Sequence, residues 1–165
     1  RVLFRSKKMT MTDNLKINDN APNFVANSTG GEIKLSDLKG KNVVLYFYPK
    51  DDTPGCTIEA QDFTKKIKSF ADLDCVVIGV SRDSITSHNK FIEKYNLKFD
   101  LLSDEATEIC QSYGTIKEKS MFGKKYMGIE RSTFLIDKLG KIIKIWRSVK
   151  VKGHIEEVLK ELRKI

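Results

Sequence analysis

Apolar residues are arranged along this chain in two kinds of pattern, short continuous runs and longer helical stripes. Residues 42–48 (NVVLYFY) and 75–81 (CVVIGVS) are almost entirely apolar, which is typical of central strands covered on both faces. Between the two runs, apolar positions recur every three or four residues, the spacing of one face of a helix. That stripe consists of Cys56, Ala60, Phe63, Ile67 and Phe70.

The same criteria predict the remaining elements. Two short alternating segments meet across Gly30 and Gly31, which indicates a β-hairpin over 23–35. Asp83 or Ser84 is placed to cap the helix predicted over 83–96. Further along, the pattern predicts a helix over 83–96, a strand over 99–104, a helix over 105–114, a strand hairpin formed by 132–136 and 141–146, and a helix over 154–165.

Strands that alternate with helices predict parallel pairing, because each crossover returns the chain to the same end of the sheet. We therefore expect an α/β fold, with a central mixed sheet flanked by helices and an N-terminal β-hairpin. No repeat or linker divides residues 15–165, so they are predicted to form a single domain. Residues 1–14 are basic and include Met9 and Met11, and we interpret them as a flexible leader or an expression remnant.

Composition narrows the function classes. With 40% hydrophobic and 32% charged residues, the chain has the composition of a soluble globular protein. No apolar run approaches the roughly 20 residues of a membrane-spanning helix, so no membrane association is expected. Three cysteines cannot all pair within one chain, which indicates a reducing compartment, the cytoplasm. The lysines behind the net charge of +8 are scattered, which favours a solvated surface over a specific nucleic-acid site.

One cysteine, Cys56, is placed where a strand passes into a helix. Pro49 ends the strand, Pro54 suits a first helical position, and Gly55 permits a tight turn. Unpaired amides and the helix dipole at such a position stabilise a thiolate, with cysteine pKa values of about 3.5 to 7.5 against about 8.5 for a free thiol. A reactive thiol is therefore favoured. The alternative is a small buried residue that begins the apolar stripe.

The segment PKDDTPGCT contains Pro49, Thr53 and Cys56 in the order Pro-x-x-x-Thr-x-x-Cys. It resembles the motif of peroxiredoxins, which are thiol peroxidases with a thioredoxin-like fold. With LSDLKGK before it and GVSRDS, LLSDE and GIERSTFLID after it, the chain is similar to the bacterioferritin comigratory protein branch, also called the Q type, from about Ile17 to the C-terminus. The resemblance implies thiol-dependent reduction of hydrogen peroxide and organic hydroperoxides, without a metal or organic cofactor.

The resemblance also implies roles for four residues. Cys56 is the implied peroxidatic cysteine, which becomes a sulfenic acid as it reduces the peroxide. Thr53 is expected to hydrogen-bond the thiolate or the peroxide oxygen, and Pro49 to shield the thiolate from water. Arg131 is expected to stabilise the thiolate and the charge on the leaving oxygen.

Three further side chains have weaker claims to a role. Glu59 lies one helical turn from Cys56 and is placed to orient Arg131, although a solvated helix carboxylate is the commoner outcome. His88 and His154 fall within predicted helices, and neither has a sequence-based claim to act as a base. We expect both histidines to cap helices or lie at the surface.

The chain departs from its branch in lacking a resolving cysteine at the usual positions, which are Gln61 and Ile92 here. Cys75 begins its strand, so a rise of about 3.3 Å per residue separates it by roughly 20 Å from the reactive edge, too far for a disulfide. Cys110 is expected in the core, and its use as an atypical resolving cysteine is the alternative. We predict a one-cysteine mechanism with thioredoxin, glutaredoxin or a small thiol as external reductant. The resemblance favours a monomer over an oligomer.

Two rival functions differ in what they require of this sequence. A thioredoxin-like disulfide reductase needs Cys-x-x-Cys at the helix start, whereas positions 56–59 read Cys-Thr-Ile-Glu. A non-enzymatic basic binding or chaperone-like module would show no peroxide turnover dependent on Cys56. The peroxidase interpretation is favoured over both.

Overall fold

The computed structural model describes residues 15–165, so the leader predicted over 1–14 lies outside the described residues. Nine strands alternate with five α-helices and a short 3₁₀ helix at Leu35–Leu38. The strands are β1 Val25–Ser28, β2 Gly31–Lys34, β3 Asn42–Phe47, β4 Cys75–Ser81, β5 Asp100–Ser103, β6 Ile116–Met121, β7 Lys124–Ile129, β8 Ser132–Ile136 and β9 Ile142–Trp146. The helices are α1 Pro54–Lys65, α2 Ile67–Asp72, α3 Ile85–Tyr95, α4 Glu108–Ser112 and α5 His154–Leu162.

Seven of the strands form one sheet in the order β2-β1-β5-β4-β3-β8-β9. Its centre, β3 with β4 and β4 with β5, is parallel, while the outer strands are antiparallel. The predicted α/β class, the mixed sheet and the N-terminal hairpin are therefore confirmed. Ser28 pairs with Gly31, so the hairpin turn is formed by Thr29 and Gly30, one position earlier than predicted.

The two faces of the sheet carry separate apolar layers, as the alternation along β3 shows. Val44, Tyr46 and Tyr48 pack with α1, α2, α3 and α5. The intervening side chains Val43, Leu45 and Phe47 pack against α4, the 3₁₀ helix and the segment before β1. Every residue of β3 is buried, which explains why its sequence is apolar at every position after Asn42. Among residues 15–165, no helix has the length and apolar character needed to cross a bilayer.

The stripe that starts at Cys56 runs over two helices rather than one. The helix is interrupted at Lys66 (φ −105°, ψ 8°), whose amide turns back to the Phe63 carbonyl at 3.1 Å. No proline or glycine marks the break. The apolar face continues across it, since Phe63 and Phe70 are both fully buried and their rings lie 5.7 Å apart.

The helix predicted over 105–114 is shorter, because a turn occupies its first residues. Thr107 adopts a left-handed conformation (φ 61°) and its amide bonds the Asp104 carbonyl. The Asp104 carboxylate then accepts the amides of Ile109 and Cys110, the role of a helix cap. In α3 the cap is Ser84, which accepts from the Ser87 amide.

The hairpin formed by β6 and β7 was not predicted from the sequence. Its turn, Phe122 and Gly123, has positive φ at both positions (52° and 79°), as a type I′ turn requires. The strands read IKEKSM and KKYMGI and stand largely exposed, so neither shows a buried alternating face. Phe122 at the tip is 96% exposed.

Candidate functional site

The site begins with the loop that joins β3 to α1. Asp52 takes a left-handed conformation (φ 56°) and reverses the chain. Thr53 is the N-cap of α1, Pro54 is its first residue, and Cys56 is its third. Within the described chain no side chain caps this helix, so the first amides and the helix dipole act on the Cys56 sulfur.

Cys56 is brought next to Arg131 by the pairing of β3 with β8. Phe47 pairs with Ser132, so the residue just before β8 lies beside the carboxyl end of β3. The Cys56 side chain is only 2% exposed. Arg131 Nη2 donates to its Sγ at 3.5 Å, which places a positive charge beside the sulfur.

The other end of the guanidinium is held by Glu59. Arg131 Nη1 donates to Glu59 Oε1 at 2.7 Å. Glu59 is fully buried, so the expectation of a solvated carboxylate is wrong. Cys56 and Glu59 lie three residues apart on one helical face, and a single guanidinium therefore contacts both.

Glu59 lies in an unusual environment for a carboxylate. Burial raises its pKa to about 7, against the lowering effect of Arg131. Its second oxygen, Oε2, has no hydrogen-bond partner among the described residues, and neither has the Tyr46 hydroxyl. Burial, followed by the charges of Glu59 and Cys56, raises the pKa of Tyr46. The site therefore contains two buried polar groups that hold their protons more strongly than usual.

Burial acts against the charge of Arg131 itself. Glu59 and Cys56 outweigh it and raise the Arg131 pKa, so the guanidinium stays charged. Its approach to sulfur depends on Gly55, since a Cβ there would stand 3.2 Å from Arg131 Nη2. Glycine at this position therefore leaves room for the guanidinium, in addition to permitting the tight turn that the sequence indicated.

Thr53 and Pro49 both lie in the loop between β3 and the thiol, and both are half-buried. The Thr53 hydroxyl donates to the Lys50 carbonyl at 2.9 Å rather than to Cys56. Its oxygen is consequently left as an acceptor. The Thr53 carbonyl accepts the first helical hydrogen bond of α1, from the Thr57 amide at 2.8 Å.

Sequence reasoning missed a second cation at the edge of the site, Lys119 of β6. Its ammonium donates to the Ile129 carbonyl at 2.6 Å. Burial, followed by the charge of Arg131, lowers the Lys119 pKa, while the negative charge of Cys56 opposes that effect. No motif signals this lysine, because it is one of several in the unpredicted hairpin.

Both histidines are buried, so the expectation of surface roles is wrong for each. His154 shares a hydrogen bond of 2.8 Å with the Thr133 hydroxyl, and its ring meets Trp146 edge-on. Burial lowers the His154 pKa to about 4. His88 lies on α3 with Nδ1 2.7 Å from Asp51 Oδ2.

The ligand atoms of Asp51, Asp83 and His88 lie within 4.8 Å of one another, the one group in residues 15–165 with the composition of a metal site. Each already has protein partners. The Asp83 carboxylate accepts from the Asp51 amide and the Ser81 hydroxyl, at 2.8 and 2.7 Å. A cation would have to displace these bonds, so the donor set fits a hydrogen-bond network better than a metal centre.

The other two cysteines are both buried, Cys75 at the far end of the sheet and Cys110 in the other apolar layer. Cys75 pairs with Asn42 at the first position of β4, and burial raises its pKa to about 12. Cys110 is completely buried in the apolar layer of the opposite face from Cys56. Burial and the nearby Asp104 raise the Cys110 pKa.

Comparisons with known proteins find relatives of this chain in sequence and in structure. Residues 17–145 match the AhpC/TSA family. The chain is 55% identical over 150 residues to Peroxiredoxin Bcp of Bacillus subtilis, covering 90% of this chain and 96% of that protein. It is 39% identical over 150 residues to Peroxiredoxin Bcp of Escherichia coli, with the same coverage.

Solved structures with a similar fold are also known. A PrxQ mutant from Xylella fastidiosa superimposes with a TM-score of 0.87 at 41% identity, covering 92% of this chain and 97% of that one. A bacterioferritin comigratory protein from Xanthomonas campestris, determined in a study of alkyl peroxide reduction, gives a TM-score of 0.82 at 42% identity, covering 86% and 90%.

Proposed function

The chain belongs to the AhpC/TSA family as a peroxiredoxin of the bacterioferritin comigratory protein branch, and we propose that it reduces hydroperoxides by a one-cysteine mechanism centred on Cys56. It is a thiol peroxidase with the thioredoxin-like fold of its relatives. The observation that carries the proposal is the Arg131 guanidinium, which bridges the Cys56 sulfur and the buried Glu59 carboxylate.

In the oxidation step, the Cys56 thiolate attacks the terminal oxygen of a hydroperoxide. An S–O bond forms as the O–O bond breaks, so sulfur loses two electrons and the peroxide gains them. The product is Cys56 sulfenic acid, and the leaving hydroxide or alkoxide takes a proton from water. Arg131 stabilises both the thiolate and the charge that moves onto the leaving oxygen, because its donors already point into the site.

Thr53 and Pro49 complete the proposed pocket. Because the Thr53 proton is directed to the Lys50 carbonyl, its oxygen is free to accept the hydroperoxide O–H and thereby orient the terminal oxygen toward sulfur. Pro49 limits access of water. Glu59 is the positioning residue that holds the guanidinium.

In the recovery step, an external thiol attacks the sulfenic sulfur and releases water, and a second thiol then frees Cys56 from the mixed disulfide. We propose an external donor, such as thioredoxin, glutaredoxin or a small thiol, because Cys110 lies in the opposite apolar layer and a disulfide needs Cα atoms within about 7 Å. Three cysteines cannot all pair within one chain, which supports a reducing, cytoplasmic location. A monomer is proposed from the family resemblance alone.

The test is to treat reduced protein with one equivalent of hydrogen peroxide and to map the products by mass. We expect a sulfenic acid on Cys56 in the wild type and in Cys110→Ser alike. An internal Cys56–Cys110 disulfide in the wild type would instead establish the two-cysteine alternative. If hydrogen peroxide leaves Cys56 unmodified, the peroxidase proposal itself is wrong.

A further inference from the structure

We propose that helix α3 clamps the loop formed by residues 48–53, and that Asp51 and His88 are positioning residues that hold this loop in its peroxide-reactive arrangement. The inference rests on the proposed function of Cys56. The inference goes beyond that function because it assigns a role to the buried His88 and to Asp51 and Asp52, which the mechanism above does not use.

The buried half of the clamp is centred on the Asp51 carboxylate, which accepts three hydrogen bonds. Tyr48 donates to Oδ1 at 2.6 Å, and the Ser87 hydroxyl donates to Oδ2 at 2.8 Å. His88 Nδ1 lies 2.7 Å from the same Oδ2. The Asp51 amide in turn donates to Asp83 at 2.8 Å. Ser87 and His88 belong to α3, and Asp83 lies just before its N-cap Ser84. The Asp51 side chain therefore fastens the loop to α3, and the Asp51 amide fastens it to the turn that leads into α3.

His88 extends the fastening to the sheet. Its other ring nitrogen, Nε2, lies 3.1 Å from the Leu102 carbonyl of β5. Both ring nitrogens therefore face oxygen atoms, one on the loop and one on the sheet. The ring is fully buried, and a buried network in which every member is bonded fixes its parts rigidly.

The exposed half of the clamp acts on the next residue. Lys94 Nζ donates to Asp52 Oδ2 at 2.8 Å, and the Tyr95 hydroxyl donates to Oδ1 at 2.6 Å. Asp52 has the left-handed φ of 56° that reverses the chain, a conformation that persists where its surroundings enforce it. The two halves grip adjacent loop residues from opposite ends of α3.

The clamp affects the reactivity of Cys56 because it fixes the position of the first turn of α1. Cys56 follows Asp52 by four residues, and no side chain of the described chain caps the helix between them. The loop therefore fixes where α1 starts and keeps the thiol buried beside Arg131. A loosened loop would misplace the thiolate relative to peroxide and at the same time expose it to other reagents.

Two rates measured on each variant test the clamp. One is the rate constant for oxidation of reduced Cys56 by hydrogen peroxide, and the other is that for its alkylation by iodoacetamide. The buried half is removed in His88→Gln and the exposed half in the double variant Lys94→Met, Tyr95→Phe. The matched control is Asp104→Asn, which changes a buried, hydrogen-bonded carboxylate in the opposite layer.

The clamp predicts that the two rates move in opposite directions. In His88→Gln, peroxide oxidation falls about tenfold while alkylation rises several-fold, and the double variant shows the same pattern to a smaller extent. Asp104→Asn keeps both rates within about twofold of wild type.

The proposal is overturned if folded clamp variants keep wild-type rates, if both rates fall together, or if the control shifts equally. Should His88→Gln fail to fold, the exposed double variant decides by the same criteria. A wild type that peroxide does not oxidise would reject the proposed function instead, and the alkylation rates would still test the clamp.

Discussion

At the scale of single residues, the site depends on a side chain that binds two partners at once. Arg131 uses Nη1 for Glu59 and Nη2 for Cys56. A planar guanidinium holds the two donors in a fixed fork, whereas an ammonium offers a single nitrogen. The carboxylate therefore sets the direction in which the cation meets sulfur.

Replacing Arg131 with lysine keeps a positive charge but removes this double contact. We expect Arg131→Lys to lower the rate constant for peroxide oxidation of Cys56 about 100-fold, because developing charge on the leaving oxygen loses an oriented donor. Single-turnover oxidation measures the effect. The control is Arg163→Lys at the exposed end of α5. A loss of less than threefold in Arg131→Lys would contradict the assigned geometry.

Gly55 allows a second test of the same contact. In Gly55→Ala the new Cβ would stand 3.2 Å from Arg131 Nη2, whereas alanine suits a helix better than glycine by roughly 0.5–1 kcal/mol. We expect the peroxide rate constant to fall several-fold while the thermal midpoint is unchanged or higher. Equal loss of rate and stability would argue that the substitution simply damages the helix.

At the scale of elements, strand β3 determines which side chains meet the site. Tyr46 and Cys56 belong to one apolar layer and Tyr113 to the other. Tyr46 is buried with a hydroxyl that lacks a partner among the described residues, whereas the Tyr113 hydroxyl donates to the Pro22 carbonyl at 2.7 Å.

The two tyrosines should respond oppositely to loss of the hydroxyl. Tyr46→Phe is expected to raise the free energy of unfolding by about 1 kcal/mol, because it removes an unpaired buried polar group. Tyr113→Phe is expected to lower the free energy of unfolding by about 1 kcal/mol, because it removes the hydrogen bond to the Pro22 carbonyl. Urea unfolding of both variants gives the comparison. Destabilisation by Tyr46→Phe would show that its hydroxyl has a partner in solution.

Sequence patterns predicted elements well where burial imposes a period. The runs that became β3 and β4 are buried along almost their whole length, and the stripe of α5 is buried at Ile155, Val158, Leu159 and Leu162. The β6–β7 hairpin escaped because it is exposed, and the break at Lys66 because no residue type marks it.

Within the site, the family resemblance selected Cys56 and Arg131, which the structure brings into contact, but side-chain burial could not be predicted. Glu59 was expected in solvent because an isolated helix carboxylate usually is, and its partner lies 72 positions away. His88 was likewise assigned to the surface, since its bond to Asp51 spans 37 positions. Such contacts follow from strand order rather than from local pattern.

At the scale of the whole molecule, two buried groups should change the free energy of unfolding with pH in opposite directions. Glu59 has a pKa of about 7 against an ordinary 4.5, so the native state keeps a proton that the unfolded chain releases. Stability therefore falls as pH rises from 4.5 to 7. His154 has a pKa of about 4 against 6.5, so the native state lacks a proton that the unfolded chain holds. Stability therefore rises with pH from 4 to 6.5.

These contributions largely cancel between pH 4.5 and 6.5, and each shift is worth about 3 kcal/mol by linkage. Relative to wild type, Glu59→Gln should make the free energy of unfolding rise more steeply with pH, and His154→Asn should make it fall. Urea unfolding at pH 4.5, 5.5 and 6.5 measures the slopes. Parallel curves for both variants and wild type would contradict the buried states of these two groups.

The central claim, that Cys56 is the residue peroxide oxidises, is tested most directly by counting peroxide consumed by reduced protein without any added thiol. Wild type and Cys110→Ser should each consume one equivalent rapidly and retain a single added oxygen on Cys56, while Cys56→Ser should consume none on that timescale. Rapid consumption of peroxide by Cys56→Ser at the wild-type rate would contradict the account.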